Sequence, residues 1–456
     1  MSAPRAWPRI PPRFTAAALS GHSAMGLAFG ALIYLTCLTG TASVLVDEIR
    51  WVEQPAPAAA PPKPGALDRA LSAVLAREPG ARSLYAVTPQ TPRQRLTVTT
   101  YGQKGEHAFI ADANGAVTPR HTPFADFVTD LHMTLTAPAP WGSLAVGLAG
   151  AALLSLILSG VLSHPRIFRD AFRLRLDGSV RLREAELHNR LSVWGLPFHL
   201  TVTLTGALFG LASLTVTTIA GLGFHGDTAR VYAPITGPAI AADARPAELP
   251  DLEAVARRAE AEIAGGGLYD IGVESPGTRG ARISVEVTAS GRLPRGEDIM
   301  FDQQGRRIGR TRFVTGPLGL QAYSAAAQLH FGFFGGLPVR LAYVVLGGAL
   351  TFVSASGVTI WLARRKDRGR PSRRLRGAWL GWTWGAPIAL FAAFALAPVV
   401  PPPWTFWTAA LVAQAVSAWR GLQRRPELAA ADAGRGIEGL GIVVDQEQGR
   451  AFERHT

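Results

Sequence analysis

The stretch GHSAMGLAFGALIYLTCLTG at residues 21–40 recurs further along the chain as LHNRLSVWGLPFHLTVTLTG at residues 187–206. Alignment of the two places His22 on His188. Both copies end in a Thr-Gly pair, with the glycine 18 residues after the histidine. Self-similarity of this kind indicates a repeated structural unit.

A second pair of matches follows each copy. His132 and His330 both stand after a leucine, and a Ser-Gly pair ends 28 residues after the first histidine and 27 after the second. Each repeat therefore consists of a helix, an intervening domain and another helix. Two helices per unit make the repeats parallel, related by an axis along the membrane normal.

The composition is that of an integral membrane protein. Only 17% of the 456 residues are charged, against about 25% in soluble proteins. Several apolar stretches reach the roughly 20 residues that a helix needs to cross a bilayer. We predict six spans, at 24–46, 141–163, 193–220, 340–363, 378–400 and 404–420. The second, third and fourth spans belong to longer segments that begin at or next to a histidine. These segments are 131–163, 188–222 and 330–363.

The net charge of +13 is concentrated in short segments. The loop at 364–377 opens with RRKDRGRPSRRLR, which carries eight basic residues and one acid, and the loop at 164–187 is also basic. Short basic loops stay in the cytoplasm, so the N-terminal segment 1–23 and the tail 421–456 are predicted to be cytoplasmic. The charge thus reflects topology and contact with lipid, and we do not expect nucleic-acid binding.

Two polar segments, 47–130 and 223–329, are then predicted to lie outside the membrane as small α+β domains. Helical patterns at 66–76 and 250–264 precede alternating, strand-like runs at 94–100, 108–110, 282–287 and 299–301. Both domains carry an Asp-x-x-Gly turn, at 112–115 and 302–305. The predicted fold is a four-helix membrane core from two parallel repeats, two extra C-terminal helices and these two domains.

The predicted topology sorts the four repeated histidines into two pairs. His22 and His188 fall near the cytoplasmic face, and His132 and His330 fall near the outer face, about 30 Å away. Two imidazole pairs along a four-helix core are typical of a two-haem electron conduit. There are two alternatives. In the first, the histidines are interfacial anchors and the small residues serve helix packing. In the second they form a zinc site, for which each pair offers too few ligands.

His199 has no partner in the repeat, because it aligns with Ile33. On a straight helix it would lie within about 20° of the face of His188 and about 16 Å deeper, although Pro197 favours a kink between them. His199 is a candidate to replace or supplement His188 as a ligand, to transfer a proton, or to hydrogen-bond a haem propionate. Bonding to a neighbouring helix is the structural alternative.

The order of these motifs over residues 14 to 365 resembles the PepSY-associated transmembrane-helix family, whose members include iron-regulated proteins and ferric-siderophore reductases of bacterial inner membranes. The resemblance implies PepSY-like periplasmic domains, two b-type haems and reduction of periplasmic ferric chelates. It favours four haem-iron ligands, His22, His132, His188 and His330. The chain departs from the family in having Ser-Ala-Met-Gly after His22, where Arg-Trp is common, and His164-Pro165 at the end of the second span.

The sequence is compatible with three functions. A reductase would take electrons from a quinol or a cytoplasmic carrier, because no glycine-rich nucleotide motif is present, and we assign no catalytic side chain. A non-enzymatic regulatory protein would use its outer domains to bind a periplasmic protein. A transporter is disfavoured because no acidic residue falls in the middle of a predicted span.

Overall fold

The computed structural model describes residues 11–55, 62–91, 93–103, 105–163, 180–237 and 240–423. Residues 1–10 of the predicted N-terminal tail, residues 424–456 of the C-terminal tail and most of the basic loop 164–187 lie outside the described residues, whereas 12–23 of the predicted tail belong to α1. The helices are α1 Pro12–Ser43, α2 Val46–Glu53, α3 Ala66–Arg77, α4 Pro123–Thr134, α5 Trp141–Ser163, α6 Val180–Trp194, α7 Leu196–Gly210, α8 Ala212–Gly223, α9 Thr228–Thr236, α10 Leu252–Glu260, α11 Leu318–Phe331, α12 Gly336–Asp367, α13 Arg373–Leu396 and α14 Pro402–Gln423. The strands are β1 Ala81–Val87, β2 Leu96–Gly102, β3 Gly105–Ala111, β4 Val117–Pro119, β5 Leu268–Glu274, β6 Arg282–Thr288, β7 Gly296–Asp302 and β8 Arg307–Arg310.

Four of the described helices, α1, α5, α12 and α13, are long and apolar enough to cross a membrane, and the bent pair α6–α7 would make a fifth. This differs from the prediction of six spans in two places. The predicted span 404–420 coincides with α14, which is not among the candidates and is interrupted by polar residues such as Gln414. The predicted span 193–220 is divided among α6, α7 and α8. The chain is thus a helical membrane protein with four or five candidate spans.

The break between α6 and α7 turns the chain by 73°. Gly195 stands at the break, and Pro197 lies in the first turn of α7. Proline has no N–H to donate to the preceding turn and its ring clashes there, which ends the α6 hydrogen-bond ladder. The kink favoured by Pro197 is therefore present, but as a full break.

The long helices form a closed arrangement. α1 packs against α5 and α12, α5 packs against α7, and α12 packs against α6. Small residues bring the backbones together: a Cβ on Gly147 of α5 would lie only 2.6 Å from the carbonyl carbon of Gly210 on α7. Helices α13 and α14 pack against each other, and the Trp382 indole of α13 donates to the Ala31 carbonyl of α1 at 3.1 Å.

The two predicted α+β domains do not have separate sheets. Their strands form one antiparallel sheet of eight strands in the order β4-β3-β2-β1-β5-β6-β7-β8. The joint is the pairing of β1 with β5, in register from Ser83 opposite Glu274 to Val87 opposite Asp270. Pairing between strands so distant in the chain leaves no local sequence signal, which is why two independent domains were expected.

Helices α3 and α10 cover one face of this sheet and cap each other. The carboxylate of Glu253 on α10 accepts the amides of Gly65 and Leu67 at 2.8 and 3.1 Å, at the start of α3. In return, Asp68 of α3 accepts the amides of Leu252 and Glu253 at 2.8 and 3.2 Å. Acidic groups that accept hydrogen bonds from the otherwise unpaired amides at a helix N-terminus stabilise that helix. Each half of the sheet region therefore caps the helix of the other half.

The two Asp-x-x-Gly turns are confirmed. Gly115 and Gly305 have positive φ angles of 86° and 70°, a conformation that glycine adopts without steric cost. The preceding carboxylates, of Asp112 and Asp302, each accept two backbone amides inside the turn, at 2.8 to 2.9 Å. The turns connect β3 to β4 and β7 to β8, at equivalent places in the two halves of the sheet.

Candidate functional site

The two histidines predicted for the outer face lie next to each other. His132 is in the last turn of α4 and His330 in the last turn of α11, and both helices end at a residue in the left-handed conformation, Leu135 and Gly332. The centres of the two imidazole rings are 6.3 Å apart, and the ring planes differ by only 20°. Residues from the two halves of the repeat therefore meet at one point.

Each of these rings lies directly over a glycine of a long helix. A Cβ on Gly40 of α1 would lie 2.7 Å from Cε1 of His132, and a Cβ on Gly206 of α7 would lie 2.9 Å from Cε1 of His330. Contacts this short leave no room for any side chain, so glycine is required at both positions if the rings are to stay where they are.

The Nδ1 atom fixes the orientation of each ring. His132 Nδ1 is 3.0 Å from the Thr36 carbonyl and 3.5 Å from the Thr39 hydroxyl. His330 Nδ1 is 3.0 Å from the Thr205 hydroxyl. A carbonyl accepts only from N–H, so Nδ1 of His132 carries the proton and the lone pair is on Nε2. Histidines that bind metals are commonly oriented in this way.

The two histidines predicted for the cytoplasmic side are held in the same way on other helices, by a hydrogen bond to Nδ1 and a glycine beneath the ring. His22 Nδ1 is 3.1 Å from the Leu156 carbonyl and 3.1 Å from the Ser159 hydroxyl of α5. His188 Nδ1 is 2.9 Å from the Ser356 hydroxyl of α12. The rings lie over the glycines that follow these serines: virtual Cβ atoms there would be 3.3 and 3.5 Å from Cε1 of His22 and His188.

We call each combination of a hydroxyl residue and the glycine after it a histidine seat. The four seats are Thr39-Gly40 for His132, Thr205-Gly206 for His330, Ser159-Gly160 for His22 and Ser356-Gly357 for His188. The sequence interpretation assigned these dipeptides to helix packing and missed this role. Their signal was present, because they recur in step with the histidines, but nothing in the sequence tells which histidine each dipeptide contacts.

His199 is in a different environment. It is 2% exposed on α7, beyond the break from α6, so His199 and His188 do not share one straight helix, in agreement with the kink expected at Pro197. Its ring lies over Gly195, where a Cβ would be 2.4 Å from Nε2. Its Nε2 atom is buried and has no hydrogen-bond partner among the residues that the structure describes.

The outer pair fits a metal centre that takes an imidazole on each side. With ring centres 6.3 Å apart, facing nitrogens would be about 4 Å apart, the length of two metal–nitrogen bonds of about 2.0 Å. The Nδ1 atoms are engaged by carbonyl or hydroxyl oxygens, which leaves Nε2 of His132 for a metal. His132 and His330 would hold a haem iron, which would supply a one-electron carrier.

A second group of potential metal ligands lies on the face of the sheet opposite α3 and α10. Carboxylate oxygens of Asp270, Glu286 and Asp298, on adjacent strands, lie within 4.8 Å of one another. Arg295 binds both oxygens of Glu286, at 2.6 and 2.7 Å. Burial, and then repulsion by Glu286, raise the pKa of Asp270 and of Asp298 to about 7.

Comparison with known proteins agrees with the extent of the repeat. Residues 19–364 match the family described as the PepSY-associated TM region, and this range contains all four seats. The chain is also similar to an uncharacterised protein of Pseudomonas aeruginosa, with 30% identity over 313 residues, which cover 62% of this chain and 76% of that protein.

Proposed function

This chain belongs to the PepSY-associated TM region family, and from that premise we propose that it is a di-haem b-type reductase of a bacterial inner membrane. It passes electrons outward to a periplasmic ferric chelate, as in ferric-siderophore reduction for iron acquisition. The observation that carries the proposal is the four histidine seats, which are alike in chemistry and equivalent in the repeat. A helix anchor needs no such common orientation of the imidazoles.

The proposed topology places both chain ends in the cytoplasm and the eight-stranded sheet in the periplasm. The four-helix core then consists of α1, α5, α6–α7 and α12, and α13 is an additional span. For both chain ends to be cytoplasmic, α14 must also cross the membrane, as a sixth span beside the five candidates. His132 and His330 hold the outer haem, beneath the sheet, and His22 and His188 hold the inner one. The pairing of His22 with His188 follows from the repeat.

A bound haem would supply a one-electron carrier. The protein residues hold and tune it: the seats fix each imidazole plane, and hydrogen bonds to Nδ1 make Nε2 a stronger donor to iron. Transfer of one electron converts the Fe(III) chelate to Fe(II), while the donor loses one electron. A membrane quinol or a cytoplasmic carrier is the proposed donor.

Electron transfer through the chain can be tested in sealed proteoliposomes. Dithionite is trapped inside, and ferric citrate with the Fe(II) dye ferrozine is added outside. Wild-type chain should produce the coloured Fe(II) complex, and His132→Ala should lose most of the rate. His121→Ala is the matched control, because His121 is exposed 11 residues earlier and should leave the rate unchanged.

A haem-loaded chain that transfers no electrons in this assay would contradict the reductase. If histidine substitutions then left the cellular function intact while loss of the sheet region abolished it, the alternative of a non-enzymatic protein that binds a periplasmic partner would hold instead.

A further inference from the structure

Helices α13 and α14 are in close contact where α13 begins and α14 ends. A Cβ on Gly421 would lie 2.7 Å from the carbonyl oxygen of Arg373, and a Cβ on Gly377 would lie 2.3 Å from the carbonyl oxygen of Ser417. The two helices are therefore antiparallel here, and glycine allows their backbones to approach each other directly.

A groove with a volume of about 570 Å³ lies along this contact. Its apolar lining consists of Leu375 and Ala378 of α13 with Leu411, Ala415 and Ala418 of α14. Both leucines are exposed, and the alanines between them leave the groove open. Sites for small molecules have volumes of about 300–1,000 Å³, so the groove is large enough for an apolar group of that size.

The groove is positively charged at the end where α13 begins. Ser372 and Arg374 line it there, and Arg374 is exposed. Residues 368–423 contain six arginines and no acidic residue. Asp367, the acid just before them, pairs with Arg181 at 3.2 Å. Residues 368–423 thus supply no carboxylate that could balance the charge of this end.

Gln414 adds a polar group deeper in the groove. A Cβ on Gly381 would lie 2.7 Å from Cα of Gln414, which places Gln414 one turn beyond Gly377 toward the middle of α13. It precedes Gly421 by seven residues, so it lies about 10 Å from the charged end along the helix axis. A guanidinium, an amide and the apolar Leu411 therefore follow one another from the end of the groove inward.

A phospholipid carries complementary groups in the same order. Its phosphate is the anion that a guanidinium binds most strongly. Its ester carbonyls follow and accept hydrogen bonds from an amide N–H, and its acyl chains continue toward the middle of the bilayer. Basic sites between transmembrane helices on the cytoplasmic side bind anionic headgroups in this way.

We propose that this groove binds an anionic phospholipid of the cytoplasmic leaflet, such as phosphatidylglycerol. The phosphate binds at Arg374 and Ser372, and one acyl chain lies against Ala415 and Ala418. The inference goes beyond the proposed electron transfer and rests only on the proposed topology, in which the beginning of α13 is cytoplasmic.

Native mass spectrometry of the full-length chain in detergent measures the binding. Phosphatidylglycerol is compared with phosphatidylcholine, which has the same acyl chains and no net charge. Wild type should bind one molecule of phosphatidylglycerol more tightly than phosphatidylcholine. Arg374→Ala should weaken binding of phosphatidylglycerol about fivefold, the contribution of one basic residue near anionic lipid. Arg368→Ala is the matched control, because it removes the same charge at an exposed position outside the groove.

A second variant tests the apolar part of the groove. Ala415→Phe places a large side chain in it and should weaken binding of both phospholipids. A folded Ala415→Phe chain that keeps its affinity for phosphatidylglycerol would mean that the phosphate alone binds, and it would overturn the inference. Dimers of wild type that Ala415→Phe converts to monomers would assign the groove to a second copy of the chain instead.

Two results with the charge variants would also overturn the inference, whatever the fold of Ala415→Phe. One is equal affinity of wild type for the two phospholipids. The other is an equal effect of Arg374→Ala and Arg368→Ala, which would make the attraction a property of the whole basic loop. None of these measurements depends on haem, so a chain without haem would refute the proposed function and leave this test valid.

Discussion

The two outer histidine seats leave no room for a side chain at Gly40 and Gly206. In Gly40→Ala the new methyl group would meet His132 at 2.7 Å, so the ring must leave its place. We expect loss of the outer haem with the inner haem retained, measured as the haem-to-chain ratio. Gly348→Ala is the control, because a Cβ there meets no heavy atom within 4 Å. Equal loss in both variants would contradict a specific effect on the seat.

Removal of a seat hydroxyl should have a milder effect. Ser356→Ala takes away the oxygen 2.9 Å from Nδ1 of His188, and loss of such an orienting partner typically costs 10–100-fold in affinity for the bound metal group. We expect weaker binding of the inner haem by about this factor, read from a haem titration. Ser354→Ala on the same helix is the control, since the Ser354 hydroxyl donates only to the carbonyl of Thr351 in its own helix.

At the residue scale, the sequence identified the histidines but not their surroundings. His22 and His132 stood out because ionisable side chains recurred at equivalent places in a repeat. The role of Gly40 was hidden, since a glycine in an apolar helix has the same appearance whether it faces another helix or an imidazole. Recognition of the seat requires knowledge of which helices are neighbours, and that is a tertiary property.

Among the elements, α3 and α10 depend on each other through their caps. Glu253→Ala removes both acceptors for the amides of Gly65 and Leu67, which should lower the free energy of unfolding by about 1 kcal/mol. Thermal unfolding in detergent, followed at the sheet region, measures this change. Glu248→Ala, a loss of the same charge at an exposed neighbouring position, should be nearly neutral. A similar effect of both variants would contradict the capping role.

The acidic group on β5, β6 and β7 should make the sheet region more stable in mild acid. The pKa of Asp270 and of Asp298 is raised to about 7, so the fold favours their protonated forms. That stabilisation is full below about pH 4, where the unfolded chain is also protonated. It is lost as the pH rises through 7.

Asp270→Asn and Asp298→Asn should therefore raise the thermal stability of the sheet region at pH 8, and raise it less at pH 5, where the folded aspartates are protonated. The exposed Glu248→Gln should change stability at neither pH. Melting curves of the three variants at the two pH values test this expectation. Greater stabilisation by the asparagine variants at pH 5 than at pH 8 would contradict the assigned direction of the pKa shifts.

Element prediction succeeded where periodicity was local. The helix expected at 66–76 is α3, and the strands expected near residues 96 and 282 are β2 and β6. The third span was predicted as one helix because its composition is uniformly apolar, whereas its path depends on the backbone at Gly195 and Pro197. Hydropathy indicates that a segment lies in the membrane, but it does not indicate where the helix axis changes direction.

On the scale of the whole molecule, the repeat was visible in the sequence and the joint between its halves was not. The pairing of β1 with β5 and the mutual capping of α3 and α10 unite two predicted domains into one body. The meeting of His132 with His330 belongs to the same symmetry, since α4 and α11 each leave the sheet region at equivalent points. The meeting of the two outer histidines across the axis was predicted from the repeat, whereas the strand pairing and the helix capping across it were not.

The haem-to-chain ratio of the purified protein, with its reduced-minus-oxidised spectrum, tests the central claim most directly. Wild type from haem-replete cells should carry two b-type haems, His132→Ala and His22→Ala should carry one each, and the double variant none. His121→Ala should retain both. A colourless wild-type protein, or a His132→Ala variant with an undiminished haem content, would contradict the account.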